Sequence, residues 1–316
     1  MNRKNFQILF IVFDVAFIII YSLIFHLSKP IYSSSVVYVP QGSIGGIITY
    51  LESKNFNLSP KVDKYLLFFI GKPQSGWINI EQTTLTRGDF LYKLAYSKAA
   101  MHKITLVPGE SAQVFLYQLS NDFSLSYDKL LYYFNLLSPY KDGIFIPETY
   151  NIPIGIKEKH LIHYLVNYSL DHYKKMSLKI FGEYDEKKWF RYLIIASVIQ
   201  KEAYDVAEMS MVSSVIYNRL KKDMPLQMDG TLNYGPFSHQ KVTPQRIKED
   251  QTKFNTYKYK GLPPYPVCSV QNEAIIAAIF PKQTDYLYFV KTKEGGHVFS
   301  TTYETHKNYI NKLKRK

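Results

Sequence analysis

Only one of the 316 residues is cysteine, Cys268, so the chain forms no internal disulfide and holds no multi-cysteine zinc or iron–sulfur site. A single thiol also leaves the redox compartment undecided. No glycine-rich stretch has the spacing that cradles a phosphate; Gly295-Gly296 alone reads as a turn, and nucleotide chemistry has no support. Acid is scarce. The 26 Asp and Glu residues against 39 Lys and Arg give a formal charge of +13, which suits either an anionic partner or a solvated basic face. At 46% hydrophobic and 21% charged, the chain is too apolar to stay disordered and long enough for about two domains.

Long apolar runs are equally rare. The single example runs from Phe6 to Leu27, FQILFIVFDVAFIIIYSLIFHL, about the length of a bilayer core and interrupted by Asp14. Arg3 and Lys4 precede it, and HLSKPIYSSS after it has no small-x-small cleavage pattern. The expectation is therefore a retained anchor, with residues 1–5 as a cytoplasmic tail and 6–27 as a single transmembrane helix. Asp14 is either a contact with another span or a tolerated lone acid. Everything beyond Ser28 is expected on the far side of the membrane, which disfavours nucleic acid as a partner. An acidic envelope polymer or a lipid surface fits the basic charge better.

Alternating short strands and helices predict an α+β chain. After a polar linker over 28–35, Val36 to Val39 reads as a strand leading through Pro40-Gln41-Gly42-Ser43 into a helix ending near Lys54. Ile104 to Ser111 repeats this strand, turn and Ser cap. Between the two copies the pattern predicts helices near 62–70 and 88–98 and a strand around 77–80, a small α+β module over 36–120. A second, mixed α+β domain is expected over 121–316. It has helices near 157–176, 187–203 and 207–222, an irregular Gly-, Pro-, Asn- and Gln-rich stretch from 226 to 270, two strands near 286–290 and 297–300, and a basic terminal helix. Long irregular stretches in a folded domain are usually functional loops.

The segment WFRYLIIASVIQKE, Trp189 to Glu202, carries the clearest chemical signal. On a helix Ile199, Val198, Ile195 and Ile194 share the face of Glu202, while Lys201 points elsewhere. A carboxyl at the edge of an apolar wall holds its proton near neutral pH, as a general acid requires. The alternative is a helix-terminal Glu in solvent. His160 and His163 lie one turn apart but lack a carboxylate at a zinc spacing and read as surface histidines. Cys268 reads as a small buried thiol, because PPYPVCSV matches no nucleophile signature. No metal or cofactor is expected.

The motifs after Glu202 arrive as an ordered series. They run IASVIQKE (195–202), VIYNRL (215–220), PLQMDGT (225–231), FNTY (254–257), GLPP (261–264), YLYFV (286–290), GGHVFSTT (295–302) and His306. With GIFIPETY (143–150) upstream, this series resembles the membrane-anchored endolytic lytic transglycosylases of bacteria, the MltG or YceG-like family, from about Val36 to the C-terminus. The resemblance makes 36–120 a LysM-like module and 121–316 the catalytic domain, placed outside the bacterial inner (cytoplasmic) membrane. It departs from the family pattern at Gln200, usually Glu, and at Gly230, usually Pro.

The activity implied by the resemblance is cleavage of the β-1,4 bond between N-acetylmuramic acid and N-acetylglucosamine within peptidoglycan strands, leaving 1,6-anhydro ends, with Glu202 as acid and then base. Asn218, Gln227, Asp229, Asn255, Tyr257 and His297 are the candidates for orienting Glu202 or binding the sugars, since amides and phenols suit neutral glycans. Penicillin-binding-type synthases in the same membrane are the implied partners. Three rival readings stand beside it: a two-carboxylate muramidase using Glu202 with Asp229, a non-catalytic glycan-binding anchor, and a structural scaffold for division or synthesis.

Overall fold

The computed structural model describes residues 3–315, and its contacts divide into two compact units, 3–102 with 151–155, and 103–150 with 156–315. Met1, Asn2 and part of the expected tail lie outside the described residues. The architecture is mixed α+β, and each sheet has two strands.

The first unit opens with α1 (Arg3–Ser28), then β1 (Pro30–Tyr32), β2 (Val36–Val39), α2 (Ile44–Ser53), α3 (Asp63–Ile70), β3 (Gly76–Asn79), β4 (Thr84–Thr86) and α4 (Arg87–Tyr96). Ser43 caps α2 by accepting the N–H of Gly46, as its sequence position predicts, and Thr86 caps α4 by accepting that of Asp89. Pleat alternation turns Val37 and Val39 of β2 inward, and β3, its antiparallel partner, contributes Ile78. These close a core with Ile47, Ile48, Leu51, Leu67 and Phe90. Phe56 stacks on Phe90 at 5.2 Å between ring centres. The segment expected as a linker is partly structured: Ile31 of β1 is fully buried opposite Leu85 of β4.

Within α1 the stretch Gln7–Ser28 is long and apolar enough to cross a membrane, and none of it is buried in protein. Its last turn joins the unit. Leu27 packs on the core, and His26 Nε2 lies 2.7 Å from Asp63 Oδ1, with the Arg87 guanidinium 2.8 Å from His26 Nδ1. Asp63 Oδ2 accepts the N–H of Ser59, and Arg87 donates to the Asn57 carbonyl. Burying Asp63 and Arg87 is tolerable because each has these partners.

The chain crosses between units through β5 (Met101–Thr105) and back through β6 (Thr149–Pro153), which pair with each other. The second unit carries α5 (Ala112–Asp122), α6 (Tyr127–Leu137), α7 (Glu158–Phe181), α8 (Glu186–Glu202), α9 (Val206–Lys221), α10 (Pro244–Glu249), α11 (Asn272–Ile279), β7 (Tyr288–Lys291), β8 (His297–Ser300) and α12 (Tyr303–Arg315). Residues 103–120 therefore fold with this unit, because Phe115 of α5 packs on Phe145 and Tyr150. The Ser111 cap of α5 resembles that of Ser43, but the two strand-helix copies lie in different units with different strand partners. Helix α8 exceeds the one apolar face expected of it: every residue from Leu193 to Ile199 is buried, between α9 and α11 among others.

Asp142 is buried where the chain enters α5, accepting the N–H groups of Ala112 at 2.8 Å and Gly143 at 2.7 Å. Burial pushes its pKa from 3.8 up to about 7, against the pull of those two bonds and of Lys201. A folded-state value raised in this way means that stability is lost as pH rises from about 4 through 7, because the folded chain must release a proton it holds tightly. Asp142→Asn, which keeps one acceptor oxygen and removes the charge, is predicted to show a melting temperature that changes less than the parent's between about pH 5 and pH 8. Thermal denaturation at the two pH values checks this, and equal slopes would contradict it.

Candidate active site

Glu202 is the last residue of α8, at the point where the buried helix opens onto a cleft of about 700 Å³ within the second unit. The volume is ordinary for a ligand pocket. The walls include Glu202, Gln227, Asp229, Tyr257, Tyr288 and His297. Glu202 touches solvent on the cleft side, but its carboxyl is packed closely by protein, and this desolvation raises its pKa from 4.5 to about 7. Two neighbours modify the effect. The N–H of Gly230 donates to Oε1 at 2.6 Å and pulls the value down, while the charge of Asp229 pushes it up.

Gly230 is where the family resemblance anticipates proline, which has no N–H to donate. The position is also tight: a Cβ there would lie 2.5 Å from Lys201 Cβ and 2.9 Å from Glu202 Oε1. The loop that carries it is held by hydroxyls. Thr231 Oγ1 donates to the Met228 carbonyl at 2.7 Å, and the Met228 N–H donates to Thr256 Oγ1 at 3.2 Å. Thr231 and Thr256 also join each other at 3.0 Å, which ties the loops bearing Asp229 and Tyr257 together. The Tyr257 hydroxyl donates to Asp229 Oδ1 at 2.7 Å; burial, with this bond and charge, pushes the phenol well above its usual range.

Gln227 sits in the left-handed region at φ 51°, uncommon for a residue with a side chain, and its N–H donates to the Thr256 carbonyl. Its Oε1 accepts from Arg219 Nη1 at 3.2 Å. Arg219, on α9, was not singled out by the sequence reading, yet it ties the cleft together. It donates to the carbonyls of Leu287 at 2.6 Å and Leu226 at 2.8 Å and lies 5.1 Å over the Tyr288 ring. Burial lowers its pKa, and His306, also in the cleft wall, is lowered by burial and by the Arg219 charge.

His297 begins β8 and is held by a residue that the sequence reading missed. Glu208 on α9 accepts the His297 N–H at 2.6 Å and pairs with its ring Nδ1 at 2.8 Å. Burial pushes the Glu208 carboxyl up, but the bonds from His297 outweigh it and leave the net value lowered. With Nδ1 taken, chemistry in the cleft falls to Nε2. The turn between β7 and β8 passes over Tyr204, where Gly295 at φ 110° leaves no room for a Cβ: the ring lies 2.6 Å from where one would sit.

The structure thus brings Glu202, Gln227, Asp229, Tyr257 and His297 into one cleft, and leaves two sequence-derived candidates outside its walls. Asn218 Nδ2 is spent on the carbonyls of Thr284 at 2.7 Å and Tyr286 at 3.0 Å. Asn255 is fully buried and bonds the carbonyls of Ile247 and Asp250. Both brace the loops behind the cleft. Gln200 accepts the Gln271 N–H, and Lys201 reaches Ser238 Oγ at 3.0 Å. His160 and His163 are exposed, Cys268 is fully buried with its thiol pKa pushed up by burial, and among the described residues no group of His, Cys, Asp and Glu is placed to hold a metal.

The YceG-like family model matches residues 37–312. The chain belongs to this family. An endolytic murein transglycosylase of Bacillus subtilis (strain 168) is 32% identical over 243 residues, 74% of this chain and 64% of the relative. One from Streptococcus pneumoniae serotype 2 (strain D39) is 30% identical over 165 residues, 50% of this chain and 29% of the relative. The chain therefore spans just under two thirds of the Bacillus protein. The crystal structure of a yceG-like protein from Listeria monocytogenes shares the fold at a TM-score of 0.57 and 24% identity, over 89% of this chain and 99% of that one.

The close approach at Gly230 makes a direct prediction. Gly230→Ala should lower stability by about 1–3 kcal/mol through overpacking against Lys201. Urea denaturation measures it, and an unchanged midpoint would show that the loop is not seated against the end of α8.

Proposed function

We propose that this chain is a membrane-anchored endolytic lytic transglycosylase that cuts the N-acetylmuramic acid–β-1,4–N-acetylglucosamine bond inside peptidoglycan strands. The observation that carries the reading is the carboxyl of Glu202 in the wall of an open cleft, where burial raises its pKa to about 7. Family membership and the names of the relatives support the same chemistry. In this reading Glu202 gives its proton to the glycosidic oxygen as the bond breaks. The carboxylate left behind, steadied by the Gly230 N–H, then takes the proton of the muramyl C6 hydroxyl, whose oxygen closes on C1 to give the 1,6-anhydro ring. No water enters the product, and one carboxyl serves both steps. Asp229, already engaged by Tyr257, acts by keeping Glu202 protonated.

In the same reading α1 spans the membrane with its N-terminus in the cytoplasm, the first unit is the LysM-like module, and the second works on glycan outside. Penicillin-binding-type synthases in that membrane are the partners the family implies. The presence of Asp229 in the cleft favours one alternative, a two-carboxylate hydrolase, and the products separate the two.

The full chain in detergent micelles, incubated with uncrosslinked glycan strands, should release internal fragments ending in 1,6-anhydro-N-acetylmuramic acid, read by mass spectrometry. Glu202→Gln should reduce their release by at least about 10²-fold with an unchanged circular dichroism spectrum. Reducing ends would instead establish hydrolysis, and fragments from the variant would remove Glu202 from the chemistry. The pH profile supplies an independent check. Activity should fall as pH rises through about 7 with loss of the Glu202 proton, and Asp229→Asn should move that limb to lower pH, because removing a neighbouring negative charge makes the carboxyl easier to ionise. A shift to higher pH would contradict the assigned role of Asp229.

A further inference from the structure

Helix α3 is amphipathic in an unusual sense, since it presents apolar residues to solvent. Asp63 and Leu67 face the core, while Val62, Tyr65, Phe68 and Phe69 form an outward stripe at helical spacing, with Phe68 68% and Phe69 84% exposed. Helix α4 extends the patch: Tyr96 is exposed, donates its hydroxyl to the Ile70 carbonyl, and packs against Tyr92, also exposed, at 4.8 Å between rings. Scattered apolar residues on a surface need no explanation, but a contiguous aromatic patch marks an interaction site. Lysines dominate the charge beside α3, although Asp89 is exposed on α4 one turn before Tyr92. Lys61, Lys64 and Lys72 flank the stripe, and the only acid between them, Asp63, is buried and paired.

The position of the patch identifies what covers it. Asp63, the first residue of α3, is the residue that holds His26 in the last turn of α1, and Arg87, the first residue of α4, holds the same histidine. Both helices that carry the patch are thus locked at their N-termini to the end of the apolar helix. From Asp63 to Phe69 the rise along α3 is about 9 Å. The interfacial layer on each side of a bilayer is roughly 5–7 Å deep, so the aromatic side chains meet it when α3 runs along the bilayer surface rather than away from it. Lys29 at the end of α1 folds its ammonium over Phe25, as a snorkelling side chain does at that depth. Exposed rings flanked by lysines match the composition of membrane-interface anchors. A glycan platform would instead need amide and hydroxyl groups aimed from the stripe, and among the side chains of α3 only the Tyr65 hydroxyl is of that kind.

We propose that the α3–α4 face of the first unit lies on the outer surface of the bilayer, with Tyr65, Phe68 and Phe69 in the interfacial layer and Lys61, Lys64 and Lys72 against anionic lipid headgroups. The first unit is then a module fixed to the membrane surface rather than a tethered glycan reader. The proposal rests on α1 as a membrane span and is independent of Glu202.

The test uses the full chain in nanodiscs of mixed phosphatidylglycerol and phosphatidylcholine, with spin labels at Phe69→Cys, at Ile18→Cys within α1 and at Lys187→Cys as an aqueous reference. Cys268 is fully buried and stays unlabelled. The Phe69 label is expected to be several-fold less accessible to a water-soluble nickel chelate than the Lys187 label, and more accessible to oxygen. The protection should weaken on phosphatidylcholine alone. An aqueous Phe69 label with a lipid-buried Ile18 label would overturn the proposal alone; an aqueous Ile18 label would overturn the anchor with it. A Phe69 label that stays aqueous on the bilayer but is shielded by added glycan strands would overturn it in favour of a sugar-binding face.

Discussion

The hydrogen bond from the Gly230 N–H to Glu202 Oε1 joins the rigid and the irregular parts of the second unit, and the site depends on it. On one side of the bond is α8, buried on all sides from Leu193 to Ile199, whose last residue lies at the cleft edge. On the other is the 226–231 segment, a loop that passes into a single 3-10 turn over Asp229–Leu232 and is braced by Thr231, Thr256 and Arg219. The same contact sets the electrostatics. Burial favours the neutral acid, the N–H favours the carboxylate, and Asp229 restores part of the preference for the proton. The balance falls near neutrality, where a group can give and then accept a proton.

Glycine at this position supplies an N–H donor that the proline anticipated by the family resemblance would not. A carboxylate at Glu202 then has a fixed hydrogen-bond donor beside it. The contacts among His26, Asp63 and Arg87 have a comparable place in the first unit: two buried charges, Asp63 and Arg87, hold the His26 ring and join the apolar helix to the module. In both units a few polar contacts determine where larger apolar elements end.

Local signals were the legible ones. Ser43 and Ser111 each cap the helix that follows, since the side chain and the N–H it accepts are three residues apart at most; Asp185 and Asp205 do the same for α8 and α9 without having been read as caps. The apolar run before Glu202 was equally readable, although not that α8 would be buried all round, which depends on α11 some 70 residues later. Strand β1 escaped notice because three residues carry no periodicity and its partner β4 is distant. Helix α7 runs on to Phe181 and stops at Gly182 in the left-handed conformation, a C-cap visible in the sequence and passed over. Asn218 and Asn255 were read as sugar-binding amides because their carbonyl partners could not be located from spacing. For the same reason Glu208 was missed: its partner His297 is 89 residues away.

In the proposed reaction one carboxyl must be neutral when the strand binds and charged a moment later, so its resting protonation state is the claim on which the account stands. A carbon-13 NMR titration of side-chain carboxyls in the full chain, with Glu202 assigned by difference from Glu202→Gln, measures that state directly. The account predicts a midpoint near 7. A midpoint at the ordinary glutamate value of about 4.5 would contradict it, leaving Glu202 a solvated helix-terminal carboxylate without a proton to give.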